Sequence, residues 1–173
     1  MAKVQLIHEK LKAYYTDKVE IPDRNALDEL VYNMLLVGAS RDRAIEAFKA
    51  LKEDFHDWNE VRVSMPFSIE RAIKGVGSEN LKALRIVKIL QSVYEDRSEV
   101  DLDFLEEMTP AAIKNYLGGM DGVGNTIIES VLVMAVKQHF FPVTKSVLRF
   151  ALRYGLISSL SKSKDLKIGR AHV

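Results

Sequence analysis

Residues 118–126 read Gly-Gly-Met-Asp-Gly-Val-Gly-Asn-Thr and sit between two stretches whose apolar residues recur at helical spacing. A turn of this composition exposes successive backbone amides at the start of the second helix, and the helix dipole adds to their attraction for an anion. Glycines at 122 and 124 let a phosphate approach without meeting a Cβ. Such donors grip sugar-phosphate oxygens and read no base, so the chemistry on offer is sequence-independent binding of nucleic acid. The predicted contacts are Gly118, Gly119, Gly122, Val123, Gly124 and Asn125, joined by the cation of Lys145. Taken alone, a Gly-x-Gly between helices favours the blander reading of an ordinary interhelical turn.

Little else in the chain has the spacing of a reactive site. His8, His56 and His139 are scattered, without the spacing that metal ligands need. Asp101, Asp103, Glu106 and Glu107 suggest a cation site, yet an acidic first helical turn favoured by the dipole explains them better. Gly75-Val76-Gly77 repeats the Gly-Val-Gly pattern and reads as a helix C-cap. Met34, Met108, Met120 and Met134 are expected in the core, and Trp58 is expected to pack over a loop. The sequence contains no cysteine, which excludes a disulfide framework, a zinc finger and a thiolate nucleophile for the chain as given.

These residues must be positioned by helices. Apolar residues recur at offsets of three and four almost throughout, no stretch alternates strictly, and about nine helices are expected. Val4, Ile7, Leu11 and Tyr14 mark the first; Leu27, Leu30, Val31, Met34 and Leu35 mark the second, after a loop at Pro22. Ser40 caps a third that ends near Phe55, and a short helix over 68–74 precedes a long one capped by Ser78. Residues 102–108 form another short helix. Thr109-Pro110 is a start signal, a cap followed by proline at the first helical position. That helix stops at Gly118-Gly119, an apolar one runs over 126–138, and Thr144 caps a last one closed by Gly155. Hydrophobic residues make up 47% of 173, enough for a buried core. No apolar run approaches the roughly 20 residues of a membrane span, and the N-terminus lacks the features of a signal peptide, so a cytoplasmic location is expected. Residues 1–109 carry 16 basic and 21 acidic residues, whereas residues 110–173 carry 9 and 3. Any basic partner surface is therefore C-terminal, although uneven sampling of solvated faces gives the same asymmetry.

In this context residues 116–126 resemble the hairpin of the helix-hairpin-helix DNA-glycosylase superfamily of the endonuclease III type, whose usual form is Leu-Pro-Gly-Val-Gly-x-Lys-Thr-Ala. The similarity extends along the chain in order. Leu27-Asp28-Glu29-Leu30-Val31 and Ala47-Phe48 with Leu51 and Phe55 resemble the opening core helices. Ile73-Lys74-Gly75-Val76, with Lys82, Ala83 and Ile86, resembles a Gly-Leu-x-x-x-Lys-Ala-x-x-Ile segment. Phe141-Pro142-Val143, Val147-Leu148-Arg149 and Arg153-Tyr154-Gly155-Leu156 resemble the stretch that normally reads Pro-Val-Asp-Thr-His-Val-x-Arg and ends Arg-Leu-Gly-Leu. The match covers about residues 4–157. It implies an all-α fold: a six-helix-barrel-type domain over 25–140 with the helix-hairpin-helix at 110–138, and an incomplete second domain formed by the segments 1–24 and 141–167.

The resemblance also implies a chemistry. In lyase-competent relatives a lysine after the hairpin attacks the sugar C1′, and an aspartate at the start of a later helix stabilises the cationic sugar once the nucleotide has been flipped out. Here those positions fall on Thr126 and Thr144, which offer neither an amine nor a charge. The glutamine that many relatives insert into the duplex falls on Val37, and Asp121 stands where proline is usual, placing a carboxylate beside phosphate-binding amides. Lys145 or Lys137 could act as a relocated nucleophile, the lesser reading beside solvated surface lysines. The expectation is a monomeric double-stranded DNA binder with weak or absent catalysis. An active monofunctional glycosylase with relocated residues, and a helical scaffold that does not touch DNA, are the alternatives. A K⁺ or Na⁺ at the carbonyls of Met120 and Gly122 is implied by the resemblance alone.

Back-translated, residues 168–173 can be written as a common sequencing-adapter sequence, so a non-native tail and a C-terminally truncated chain are expected. On that expectation Val4, Ile7 and Leu11 lack part of their packing partner and form an exposed apolar patch. The relatives' iron–sulfur cluster, held by four cysteines beyond this region, is not addressed by this stretch of chain.

Overall fold

A computed structural model describes residues 2–15, 22–138 and 143–157, and those residues are helical with no strand among them. Helix α1 spans Ala2–Tyr14, α2 Ala26–Leu36, α3 Arg41–Asp54, α4 Trp58–Val63, α5 Pro66–Ala72 and α6 Glu79–Arg97. A 3-10 turn, Asp103–Glu107, leads to α7, Pro110–Gly118, and α8, Asn125–Ser130; α9 is Lys145–Arg153. Helix α8 runs on into a π-helical segment, Val131–Ala135, so the expected helix over 126–138 is shorter and its last part is widened.

The ends are set by local chemistry. Side-chain oxygens of Asn25, Ser40, Thr109 and Thr144 accept from the backbone N–H three residues on, at 2.8, 3.3, 3.3 and 3.2 Å. Each fills one of the orphan donors that every helix start carries. Ser78 is a correction: it precedes α6 in a left-handed conformation (φ +53°) and makes no side-chain cap. Trp58 is another. It begins α4 behind the cap Asp57, is buried, and donates its indole N–H to Asp28 Oδ1 at 2.7 Å, a contact that ties α4 to α2. The helix expected over 68–74 starts two residues earlier, because Pro66 supplies a first-turn residue with no N–H to satisfy.

The core is one cluster to which α2 through α8 and the 3-10 turn all contribute. Leu30, Leu35, Ile69, Ile73, Ile86, Leu90, Leu105, Ile113 and Leu117 are completely or almost completely buried in it. Met34 belongs to this core and Met108 and Met120 pack against it, but Met134 lines a surface pocket instead. Buried Lys82 ties the end of α2 to the 75–77 turn: its ammonium donates to the carbonyls of Leu35 at 2.7 Å and Val76 at 2.9 Å. Burial pushes its pKa down.

Helices α1 and α9 stand apart from this cluster. Ile7 and Leu11 of α1 face Val147, Phe150 and Ala151 of α9 across an apolar groove of about 530 Å³. Val4 is 59% and Leu11 46% exposed, because no other described element covers α1.

Candidate nucleic-acid interface

Helices α7 and α8 form the hairpin that presents the glycine turn. Ile113, Leu117, Val123, Ile127 and Ile128 are buried beneath it and fix the angle between the helices. Within the turn the N–H of Met120 donates to Leu117 O at 3.1 Å and that of Val123 to Met120 O at 3.2 Å. Val123 is thus the inward anchor of the turn, with side chain and amide both used internally, which corrects the expectation that it faces a ligand. Gly122 has φ +83°, a left-handed conformation that disfavours any L-residue, and a Cβ there would fall 2.6 Å from Arg85 Cδ, so the arginine side chain would have to shift. At Gly124 nothing lies within 4 Å of a Cβ position. The space in front of the second glycine is open.

The amides of Gly122, Gly124, Asn125 and Thr126 have no hydrogen-bond acceptor among the described residues, and all four residues are exposed. The other Gly-Val-Gly triplet behaves differently. There the amides of Gly75 and Gly77 donate to Glu79 Oε1 at 2.9 and 3.1 Å. Together with Glu79's own amide, which contributes most, they hold that carboxyl below the usual carboxylate range. One triplet therefore carries its own anion, and the other holds its donors toward solvent.

No family model matches the chain. It is 33% identical over 104 residues to DEMETER-like protein 3 of Arabidopsis thaliana, covering 60% of this chain and 10% of that protein. It is 26% identical over 145 residues to Endonuclease III of Sulfolobus acidocaldarius, covering 83% of this chain and 62% of that protein. The structure superposes on the H. pylori 3-methyladenine DNA glycosylase bound to 1,N6-ethenoadenine with a TM-score of 0.72 at 16% identity, covering 92% of this chain and 77% of that one. Sequence relatives and fold together support the helix-hairpin-helix DNA-glycosylase superfamily for this chain. The chain is similar to endonuclease III in sequence and all-α in fold, and it spans less than two thirds of either of the two sequence relatives described here.

The positions singled out in the sequence fall as follows. Thr126 is exposed on the first turn of α8. Thr144 is exposed and its hydroxyl is engaged by the N–H of Val147. Lys145 is exposed at the start of α9, beside Leu148, Arg149, Leu152 and Arg153 on one face of that helix. Lys137 has φ +53° and pairs with Asp23 at 3.5 Å on the surface. Val37 is 59% exposed at the end of α2. His8 and His56 are exposed, His139 and residues 168–173 lie outside the described residues, and no group of acidic or histidine side chains among the described residues could hold a metal. Asp101 is used locally, its Oδ1 accepting from the N–H of Asp103 at 3.2 Å.

Sequence reasoning missed a pocket of about 390 Å³ beside α8, lined by both apolar and charged side chains. Its wall carries Glu29, 3% exposed, whose Oε1 accepts from Ser130 Oγ at 2.9 Å and Asn33 Nδ2 at 2.7 Å, and whose Oε2 pairs with Arg24 at 3.2 Å. The Arg24 guanidinium in turn lies 3.8 Å from the centroid of the Tyr32 ring. A carboxylate taken out of water must be paired and hydrogen-bonded to be tolerated, and this one is. No sequence pattern announces it, since Glu29 and Ser130 are 101 positions apart. An acidic residue within the apolar stripe of α2 was the available signal.

Proposed function

We propose that this protein binds double-stranded DNA through the amides of its hairpin, as a repair-glycosylase homologue whose catalysis is weak or absent. The reading is carried by one observation: the amides of Gly122, Gly124, Asn125 and Thr126 face solvent without an acceptor, while the matching triplet at 75–77 is already closed by Glu79. Oriented donors on a preformed turn grip a phosphate at little conformational cost. The carbonyls of Met120 and Gly122 would hold a monovalent cation there; the Met120 carbonyl keeps a lone pair after accepting from Val123. With no cysteine, the chain contains no thiolate for an iron–sulfur cluster. Weak catalysis follows from the two threonines, which supply no imine-forming amine at 126 and no charge at 144.

Duplex binding measured from low to moderate salt tests the reading. Affinity should fall linearly in log–log form by about one counterion per phosphate contact. A duplex carrying an abasic site should be bound and left uncut. Salt-independent binding, or none at low salt, would remove the DNA reading and leave the scaffold alternative.

The Glu29 pocket favours a second reading, an active monofunctional glycosylase. It has room for a nucleobase and offers a buried carboxylate 101 positions from, but bonded to, the hairpin helix. Release of a damaged base that Glu29→Gln abolishes while duplex affinity survives would establish it. Base release lost on changing Lys145 would instead assign the relocated chemistry to that lysine.

A further inference from the structure

Asp121 stands beside the open amides and is the one carboxylate of the turn. A short aspartate side chain readily hydrogen-bonds backbone amides about two residues ahead of itself. The protein already contains an example of an acidic side chain closing such a triplet, where Glu79 takes the amides of Gly75 and Gly77. Asp121 does not do this. Its Oδ2 lies 3.6 Å from Arg85 Nε, turned toward α6. Arg85 reaches that point by passing beneath Gly122, against the space that a Cβ would fill. Its Nε is buried without a hydrogen-bond partner, and 3.6 Å is too long for one, so the two groups are held by charge and packing with no directional bond.

We propose that Arg85 is a positioning residue for the hairpin: it draws the Asp121 carboxylate away from the amides of residues 122–126 and so keeps them available to a phosphate diester. Released from Arg85, the carboxylate becomes an internal ligand that competes with the phosphate. The proposal deepens the DNA-binding reading and rests on it for its ligand. It also gives Asp121 a role in the turn: once freed, its carboxylate competes for the amides, and Arg85 decides which state the turn occupies.

The test is a double-mutant cycle on duplex affinity at low salt with Arg85→Met, which keeps most of the stem, Asp121→Asn and the pair. Arg85→Met should weaken binding about tenfold, the scale of one charge-assisted hydrogen bond gained by the competitor. In the Asp121→Asn background the same change should cost less than about threefold, and Arg85→Lys should recover part of the loss. Equal losses in both backgrounds would overturn the proposal, because Arg85 would then act on the phosphate or on the fold directly. A second measurement does not depend on DNA. The ¹⁵N–¹H signals of Gly124 and Asn125, read at fixed pH, should differ between Arg85→Met and the Arg85→Met/Asp121→Asn pair and coincide between the parent protein and Asp121→Asn. Absence of duplex binding combined with that spectral difference would remove the DNA reading and keep the positioning role. Coincident signals in Arg85→Met and the pair would remove the positioning role whatever the affinity.

Discussion

The two glycines of the hairpin should separate stability from binding when each is changed to alanine. At Gly122 the backbone is left-handed, φ +83°, which costs an L-residue about 1–2 kcal/mol. The new methyl would also sit 2.6 Å from Arg85 Cδ and 2.8 Å from Nε, so the arginine stem must move, at a cost of about another 1 kcal/mol. The sum, about 2–3 kcal/mol, is a substantial part of the 5–15 kcal/mol typical of a domain. At Gly124 the backbone angles, φ −84° and ψ 167°, suit any residue, and the methyl would meet nothing within 4 Å. Gly124→Ala should therefore change stability by less than about 0.5 kcal/mol. Its methyl would nevertheless project into the open space before the amides and should weaken duplex binding about tenfold, the equivalent of 1.4 kcal/mol. Urea unfolding and fluorescence anisotropy with a labelled duplex, run on the same preparations, read both quantities. Equal destabilisation by the two changes would refute the backbone argument, and undiminished binding by Gly124→Ala would refute the approach of a phosphate over that glycine.

Lys82→Met should lower unfolding stability by about 1–3 kcal/mol, since the carbonyls of Leu35 and Val76 lose their only described side-chain donor; a loss below 0.5 kcal/mol in urea unfolding would contradict this. Burial, followed by the nearby Asp96 carboxylate, raises the Tyr116 phenol to about 12. A phenol raised in the folded state contributes stability that is full below its unfolded value near 10 and is lost as pH climbs through about 12. Melting temperatures should accordingly fall more steeply over that alkaline window for the parent than for Tyr116→Phe, and parallel curves would refute the assignment. Trp58→Phe should cost about 1 kcal/mol through the lost bond to Asp28, with little change in duplex affinity. Leu11→Lys on the exposed face of α1 should reduce binding of a hydrophobic dye without lowering the melting temperature of the main core, and unaltered dye binding would show that the groove against α9 is not the accessible patch.

Several features were legible before any coordinates. Apolar spacing, Ser40, Thr109 and Thr144 as caps, and glycine at 118–119 and 155 define helix ends because those signals act within one turn of chain. The order of motifs from Leu27 to Tyr154 carried the resemblance to the superfamily, which the sequence relatives and the fold support. Where the local signal is weak, the reading fails: α4 has only 6 residues, too few for a period, and Ser78 resembles a cap although Glu79 captures the neighbouring amides.

Sequence alone determined the helical fold and located the glycine turn, since helix periodicity, capping and φ preference are properties of residues close together in the chain. The tertiary structure alone decided which amides remain open and which carboxylates are buried. Arg85 meets Asp121, Lys82 meets Leu35, and Glu29 meets Ser130 only after the helices pack, because side chains remote in sequence become neighbours through burial of the apolar faces that carry them.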